Sequence, residues 1–195
     1  SYFQGEYDRV ARVQNDRPES LICNADTQTI ASADTGTAAL GTTDCLLIGR
    51  LLTLDGTTGK TITSEPVFAS EDVSILSSGS DTAAIQASDI FLDTGDSMRS
   101  RYTPEWDTKI VKTGTTDAAG WRLLIVRSPS SGSIKTFATD TSSGSVSDMV
   151  NDAYRTELRM CLDSQGLINF ERKGVVITKD ASGAAGVKEI AGGAC

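Results

Sequence analysis

Four cysteines are the residues of this chain with the clearest chemistry. They are Cys23, Cys45, Cys161 and Cys195, and no two of them form a C-x-x-C pair, which disfavours a zinc site of four thiolates. Four cysteines allow three disulfide pairings, of which the sequential one, Cys23 with Cys45 and Cys161 with Cys195, is the simplest. Four reduced, buried thiols in a cytosolic protein are the alternative. A cysteine at the last position favours a disulfide that clamps the C-terminal tail, and disulfides indicate a periplasmic or extracellular protein.

The chain has no histidine among its 195 residues. Ser-His-Asp triads, Cys-His dyads and His-ligated zinc sites therefore cannot be built from this chain alone. The prediction is a binding or structural protein and not an enzyme. A hydrolase that works through carboxylates stays open as an alternative, because the two acids of such a site come together only in the fold.

Two loops contain the remaining candidates for chemistry. Asp93 and Asp96 flank Gly95 and, together with Asp89, have the oxygen ligands that calcium prefers. Their spacing is not that of an EF-hand loop, so solvated aspartates in turns are the favoured interpretation. Residues 56–61 contain Gly-Lys-Thr, but the spacing is wrong for a phosphate-binding loop, and residues 55–59 are predicted to form a hairpin turn. No metal and no cofactor are predicted.

Charge argues against a nucleic-acid partner. The net charge is −8, and the sequence pI is near 4.5. The basic residues between positions 99 and 127 do interleave with Tyr102, Trp106 and Trp121, a pattern that can bind single strands. Acidic residues lie among them, however, and Trp121 is predicted to pack in the core.

Three segments divide the chain. Residues 1–5 end in Tyr-Phe-Gln-Gly, the end of the recognition site of a tag-removing protease, so they are interpreted as an expression-tag remnant. In residues 6–15, apolar side chains recur every three or four positions, which predicts a helix that ends before Pro18. Residues 6–17 thus look like the last turns of a longer helix, and residues 18–195 are predicted to form one globular β-rich domain.

The β prediction depends on composition and alternation. The 22 Ser, 23 Thr and 18 Gly are typical of strands joined by many turns. Residues 24–44 are expected to be a long loop, residues 144–154 to carry helical turns, and Pro66 to mark an edge strand or a strand end. Strands are expected at residues 20–23, 46–54, 61–68, 106–113, 121–128, 133–139, 157–163, 167–170, 174–178 and 187–190.

Three short stretches of sequence, taken together with this architecture, resemble a known family. They are Arg9-Val10-Ala11-Arg12 at the helix end, Leu21-Ile22-Cys23, and residues 158–166 with the strands that follow. The chain resembles bacterial type IV pilins and type II secretion pseudopilins, more narrowly the GspH/FimT/FimU type of minor pilin. The resemblance implies an α+β fold, in which a truncated N-terminal helix precedes a mainly antiparallel, pilin-like β domain with disulfides.

The same resemblance implies a function. The chain is expected to be a subunit that takes part in the initiation or assembly of a type IV pilus or a type II secretion pseudopilus. A helix absent from this chain would anchor the parent protein in the inner membrane, with the domain in the periplasm until the filament assembles. Tyr7, Val10 and Val13 would contact other pilin or pseudopilin subunits. A secreted adhesin or glycan-binding β domain is the alternative from another class.

Overall fold

The structure is a computed structural model, and it describes residues 1–12, 21–24, 27–32, 45–70, 90–93, 95, 98–105, 108–128, 131–164, 172–191 and 194–195. Its α-helix, α1, spans Tyr2–Ala11. The helix begins four residues before the predicted start, so the residues interpreted as a tag remnant form its first turn. Their origin in an expression tag stays a prediction, and the predicted helical residues 13–15 lie outside the described ones.

Twelve strands follow α1 within the described chain. They are β1 Leu21–Asn24, β2 Thr29–Ser32, β3 Cys45–Leu54, β4 Ile62–Ser70, β5 Ile90–Leu92, β6 Ser100–Tyr102, β7 Lys109–Val111, β8 Trp121–Arg127, β9 Ile134–Thr139, β10 Leu158–Asp163, β11 Lys173–Ile177 and β12 Val187–Ala191. Every pairing between them is antiparallel. The predicted α+β class with a mainly antiparallel sheet content is confirmed.

A six-stranded sheet forms the larger layer. Its order is β5-β4-β3-β8-β9, with β6 also beside β4. The strand β8 lies inside this sheet, and every residue from Trp121 to Val126 is buried. This agrees with its sequence, which is apolar from Trp121 to Val126 except at Arg122, because a strand covered on both faces needs no polar alternation.

Pro66 lies in a strand that is flanked on both sides. On the outer side of β4, the strand β5 pairs residues 67–69 and β6 pairs residues 62–64, so neither of them pairs Glu65 or Pro66. A proline has no N–H to donate to a ladder, and this gap between two short strands is where that loss costs least. Pro66 is therefore at an edge only in the sense that no strand pairs with it on the outer side of β4, whereas β4 as a whole is not an edge strand.

A four-stranded sheet, in the order β12-β11-β10-β7, forms the second layer. Along β10 the side chains of Leu158 and Met160 are buried toward the protein interior, as the alternation predicts. One core cluster joins residues of both sheets to the apolar side of α1, which presents Phe3, Tyr7 and Val10. The helix is thus attached to the domain along its length.

The helical turns predicted in residues 144–154 are two short 3₁₀ turns. The side chains of Ser145 and Asn151 accept hydrogen bonds from backbone N–H groups two residues ahead and so favour turns over a continuous helix. The loop predicted over residues 24–44 is wrong at Thr29–Ser32. The Asn24 side chain accepts the N–H of Thr27 in a tight turn, and β2 then pairs with β1.

Candidate functional site

Both predicted disulfides are formed. Cys23 is bonded to Cys45 and Cys161 to Cys195, with Cα–Cα distances of 5.8 and 5.6 Å. The first joins β1 to the start of β3, and so holds the two-stranded sheet of β1 and β2 on the six-stranded sheet. The second joins β10 to the last residue of the chain.

The C-terminal disulfide depends on a glycine in the neighbouring strand. A Cβ atom at Gly174 in β11 would lie 2.5 Å from the Sγ atom of Cys195. Gly114 also donates its N–H to the carbonyl oxygen of Cys195 over 3.0 Å. The last residue of the chain is therefore held both by a covalent bond and by a backbone hydrogen bond.

Tyr7 and Val10, the predicted subunit contacts within the described chain, lie in the protein's own core. Tyr7 is only 1% exposed. Its hydroxyl lies 2.8 Å from Thr136 Oγ1, which donates to the Ala181 carbonyl oxygen over 2.6 Å. Because the Thr136 hydroxyl has one proton, Tyr7 must be the donor of the first bond. Burial raises the pKa of Tyr7 to about 12, so the donor is protonated at neutral pH.

This hydrogen-bonded chain gives a first prediction. Tyr7→Phe removes one donor and is expected to lower the free energy of unfolding by about 1 kcal/mol. Thr136→Val is expected to cost about 2 kcal/mol, because it leaves both the Tyr7 hydroxyl and the Ala181 carbonyl without a partner. Urea unfolding of the two variants measures the order of these costs, and equal costs would contradict the assigned direction of the bonds.

A second polar contact joins α1 to the six-stranded sheet. The carboxylate of Glu6 is buried and accepts a hydrogen bond from Ser64 Oγ over 2.9 Å, while Arg9 Nη1 lies 3.6 Å from the same carboxylate. Burial and the Glu6 carboxylate raise the pKa of Tyr2 well above its usual range. The sequence analysis does not predict this contact. The available signal is that Glu6 lies on the same side of the helix as the apolar residues Phe3 and Val10, where a carboxylate needs a polar partner.

The predicted hairpin turn at residues 55–59 is organised by a carboxylate. Asp55 accepts hydrogen bonds from the hydroxyl of Thr58 and from the N–H groups of Thr57 and Thr58. These bonds stabilise the charged form and lower the pKa of Asp55 below its usual value. The turn then connects β3 to β4, and no structural feature of it suggests a phosphate site.

A second prediction follows from this turn. Asp55→Ala is expected to cost about 1 kcal/mol of unfolding free energy at pH 7, a small value because water screens an accessible carboxylate. A lowered pKa stabilises the folded state above the unfolded-state value of about 3.9, and that contribution is lost as the pH falls through the folded-state pKa. Urea unfolding at pH 7 and near pH 2.5 is the measurement. A difference between the two proteins that does not shrink in acid would contradict the prediction.

The candidate calcium residues are only partly described. Asp93 is 3% exposed, and not solvated as predicted. Its Oδ1 atom accepts the N–H of Gly95 over 2.8 Å, and its Oδ2 atom has no hydrogen-bond partner among the described residues. Asp89 and Asp96 lie outside the described residues. Within the described part of the chain, no group of three or more Cys, Asp or Glu residues is placed to hold a metal ion.

The basic residues between positions 99 and 127 do not form one surface. Arg99 pairs with Glu65 at 2.7 Å, and Arg122 is buried, where its Nη1 atom donates to the carbonyl oxygen of Gly144 over 2.6 Å. Burial lowers the pKa of Arg122. Trp121 packs in the core, as predicted, whereas Trp106 lies outside the described residues.

An apolar cleft lies beside the start of α1. It encloses about 500 Å³ between the first turn of the helix and the uncovered end of the four-stranded sheet. Its floor is buried and apolar, with Phe3, Ile62 and Met160 among the lining residues. Tyr102, 38% exposed, lines the rim and stacks on Tyr2 with ring centroids 4.5 Å apart. Volume and lining are those of a ligand-binding site.

Comparison with known proteins does not identify a family. No family model, no curated protein and no solved structure matches the chain. None of the described helices has the length and the apolar character needed to cross a membrane.

Proposed function

We propose that this chain is a minor pilin or pseudopilin subunit that takes part in the initiation or assembly of a type IV pilus or a type II secretion pseudopilus. The observation that carries the proposal is the attachment of α1. Its apolar side packs between residues of both sheets, while Gly5, Asp8, Arg9, Ala11 and Arg12 remain exposed. The sequence resemblance implies a helix followed by a mainly antiparallel β domain, and in this chain the helix packs along such a domain.

Because α1 packs on its own domain, only its exposed side chains are accessible to a neighbouring subunit. Tyr7 and Val10 hold α1 on its own domain, and another subunit could reach them only if the helix undocked. Val13 lies outside the described residues. In this proposal the exposed side of α1, with Asp8 and Arg12, contacts the neighbouring subunit, and the contacts first expected at Tyr7, Val10 and Val13 stay a prediction.

The two disulfides support the proposed location. Covalent bonds between cysteines persist in oxidising compartments such as the periplasm and the cell surface. The proposal places the domain in the periplasm, attached to the inner membrane by a helix of the parent protein, and then in the assembled filament.

The test is a gene deletion in the source bacterium, with filaments counted by electron microscopy and type II secretion measured in the culture medium. Deletion is expected to reduce one of the two, and the wild-type gene is expected to restore it. A double variant, Asp8→Lys with Arg12→Glu, is expected to restore it poorly, whereas Lys179→Glu, at an exposed site outside the helix, serves as the matched control. Normal filaments and normal secretion after deletion would refute the proposal.

The apolar cleft favours a second candidate function, a secreted adhesin or glycan-binding domain. An exposed tyrosine beside an apolar cleft is a surface that can bind a ligand through its ring face. A glycan array is the test, with Tyr102→Ala expected to abolish binding and Tyr102→Phe to keep it. Glu189 is the one carboxylate in the described lining, so the described residues of this cleft do not supply the acid pair that a hydrolase would need.

A further inference from the structure

The strand β12 forms an open edge of the four-stranded sheet. It lies last in the order β12-β11-β10-β7. The opposite edge is covered, because Ile110 in β7 donates its N–H to the Gly59 carbonyl oxygen over 2.8 Å and accepts the N–H of Ala119 over 3.1 Å. Among the described residues, no backbone hydrogen bond reaches the outer side of β12. A strand edge of this kind can pair with a further strand.

The register of β12 shows which of its backbone groups point outward. Thr178 donates its N–H to the Gly186 carbonyl oxygen over 3.0 Å. Hydrogen-bonded pairs alternate along an antiparallel ladder, so Lys188 and Ile190 direct their backbone groups toward β11. The residues whose N–H and C=O groups point away from β11 are Val187, Glu189 and Ala191.

The same outward residues share the face of the sheet that borders the apolar cleft. Val187 is buried in the core cluster between the two sheets, and side chains two residues apart lie on one face of a strand. Glu189 and Ala191 accordingly line the cleft, which encloses about 500 Å³. In an added strand, the side chain directly opposite Ala191 lies on this face as well. The cleft therefore has room for a large apolar side chain of such a strand.

The charges of β12 restrict which strand can pair with it. Lys188 and Glu189 are exposed. Charges on an edge strand oppose indiscriminate pairing, and like charges directly opposite each other are unfavourable. Two copies of β12 aligned antiparallel over their full length place Glu189 opposite Glu189, so the same strand of a second copy is a poor partner. A strand with a basic residue opposite Glu189 and an acidic residue opposite Lys188 is complementary.

We propose that β12 is a strand-addition site for an extended segment of a different protein. The segment pairs antiparallel with β12 and has an apolar residue opposite Ala191, a basic residue opposite Glu189 and an acidic residue opposite Lys188. Backbone hydrogen bonds supply the affinity, and the cleft and the two charges select the sequence. This proposal does not depend on the proposed function.

The probe is a synthetic peptide, acetyl-Thr-Phe-Thr-Lys-Glu-Val-Thr-amide. Antiparallel alignment places its phenylalanine opposite Ala191, its lysine opposite Glu189 and its glutamate opposite Lys188. Calorimetric titration of the wild-type protein is expected to show binding. N-methylation of the peptide lysine, whose N–H donates to the Glu189 carbonyl oxygen in this alignment, is expected to weaken binding about tenfold. N-methylation of the peptide glutamate, whose N–H points away from β12, is the matched control and is expected to change the affinity less than about twofold.

Charge reversal tests the register. Glu189→Lys is expected to weaken binding about fivefold, and a peptide with glutamate in place of its lysine is expected to restore it. Asp140→Lys, at an exposed residue after β9 in the other sheet, is the matched control and is expected to bind the original peptide like the wild type. Hydrogen exchange followed by NMR is expected to slow at the amides of Glu189 and Ala191 when the peptide binds.

Three outcomes would overturn the proposal. Equal affinity of the two N-methylated peptides would mean that the peptide occupies the cleft without pairing with β12. Absence of binding at about 1 mM peptide would mean that this edge does not accept a strand. Sedimentation equilibrium of the wild-type protein alone is expected to show a monomer, and a dimer that the peptide dissociates would assign the edge to a second copy of this chain.

Discussion

Phe3→Ala is expected to lower the free energy of unfolding by about 3–4 kcal/mol, one of the two largest effects of a substitution in this chain. Phe3 is 6% exposed, and its ring centroid lies 5.8 Å from that of Trp121 in the central strand β8. Truncation to alanine removes the apolar area of the ring from the core and leaves a cavity between α1 and the six-stranded sheet. Guanidinium chloride unfolding at equilibrium measures the loss.

The matched control is Asp8→Ala on the exposed side of the same helix. It is expected to change the free energy of unfolding by less than about 0.5 kcal/mol, because alanine is a good helix former and the site makes no buried contact. If Phe3→Ala costs as little as Asp8→Ala, the first turn of α1 does not pack on the domain in solution. The helix would then begin near Glu6, as the sequence alone predicts.

The strands that sequence could predict are those with an unambiguous pattern. The strands β3 and β8 have apolar residues at nearly every position, and β10 alternates, so the sequence predicts the bounds of each to within a residue or two. The strands β5 and β6 are three residues long, which is too short for a period to be detected. The strand β2 lies in a stretch whose composition predicts a loop. It pairs with β1 because the Asn24 side chain stabilises the turn between the two strands.

The candidate sites were harder to predict because they depend on tertiary register. Glu6 accepts a hydrogen bond from Ser64, 58 residues further along the sequence, only because α1 packs on the six-stranded sheet, and no local pattern specifies that contact. The apolar cleft likewise exists because α1 covers only part of the four-stranded sheet. Its position follows from where the helix begins, and that boundary was predicted four residues too late.

The disulfide pairing could be predicted because it needed few assumptions. Each bond joins cysteines that are neighbours in sequence order, with separations of 22 and 34 residues. Gly174 could not be assigned a role in the same way. Its need for a hydrogen in place of a side chain becomes apparent only when Cys195 is placed against β11.

Replacing both Cys161 and Cys195 by serine is expected to lower the free energy of unfolding by about 3.8 kcal/mol in the chain-entropy model, because the bond closes a loop of 34 residues. The matched control replaces Cys23 and Cys45, whose loop of 22 residues gives about 3.4 kcal/mol. The two losses are expected to be similar in size and different in place. Hydrogen exchange should rise first in β11 and β12 for the Cys161–Cys195 variant, and in β1 and β2 for the other.

The location of the effect is the sharper part of this prediction. The Cys195 sulfur packs against Gly174, and the Cys195 carbonyl oxygen accepts the N–H of Gly114. Loss of the disulfide therefore frees the C-terminal tail from β11 and from the turn that follows β7. Gly174→Ala is expected to have the same exchange pattern, because its methyl carbon would lie 2.5 Å from Cys195 Sγ and against the Met160 carbonyl oxygen, too close for the clamp to keep its place. Unchanged protection of β11 and β12 in both variants would mean that the four-stranded sheet is held by its ladder and by the core, and that the C-terminal clamp contributes nothing to it.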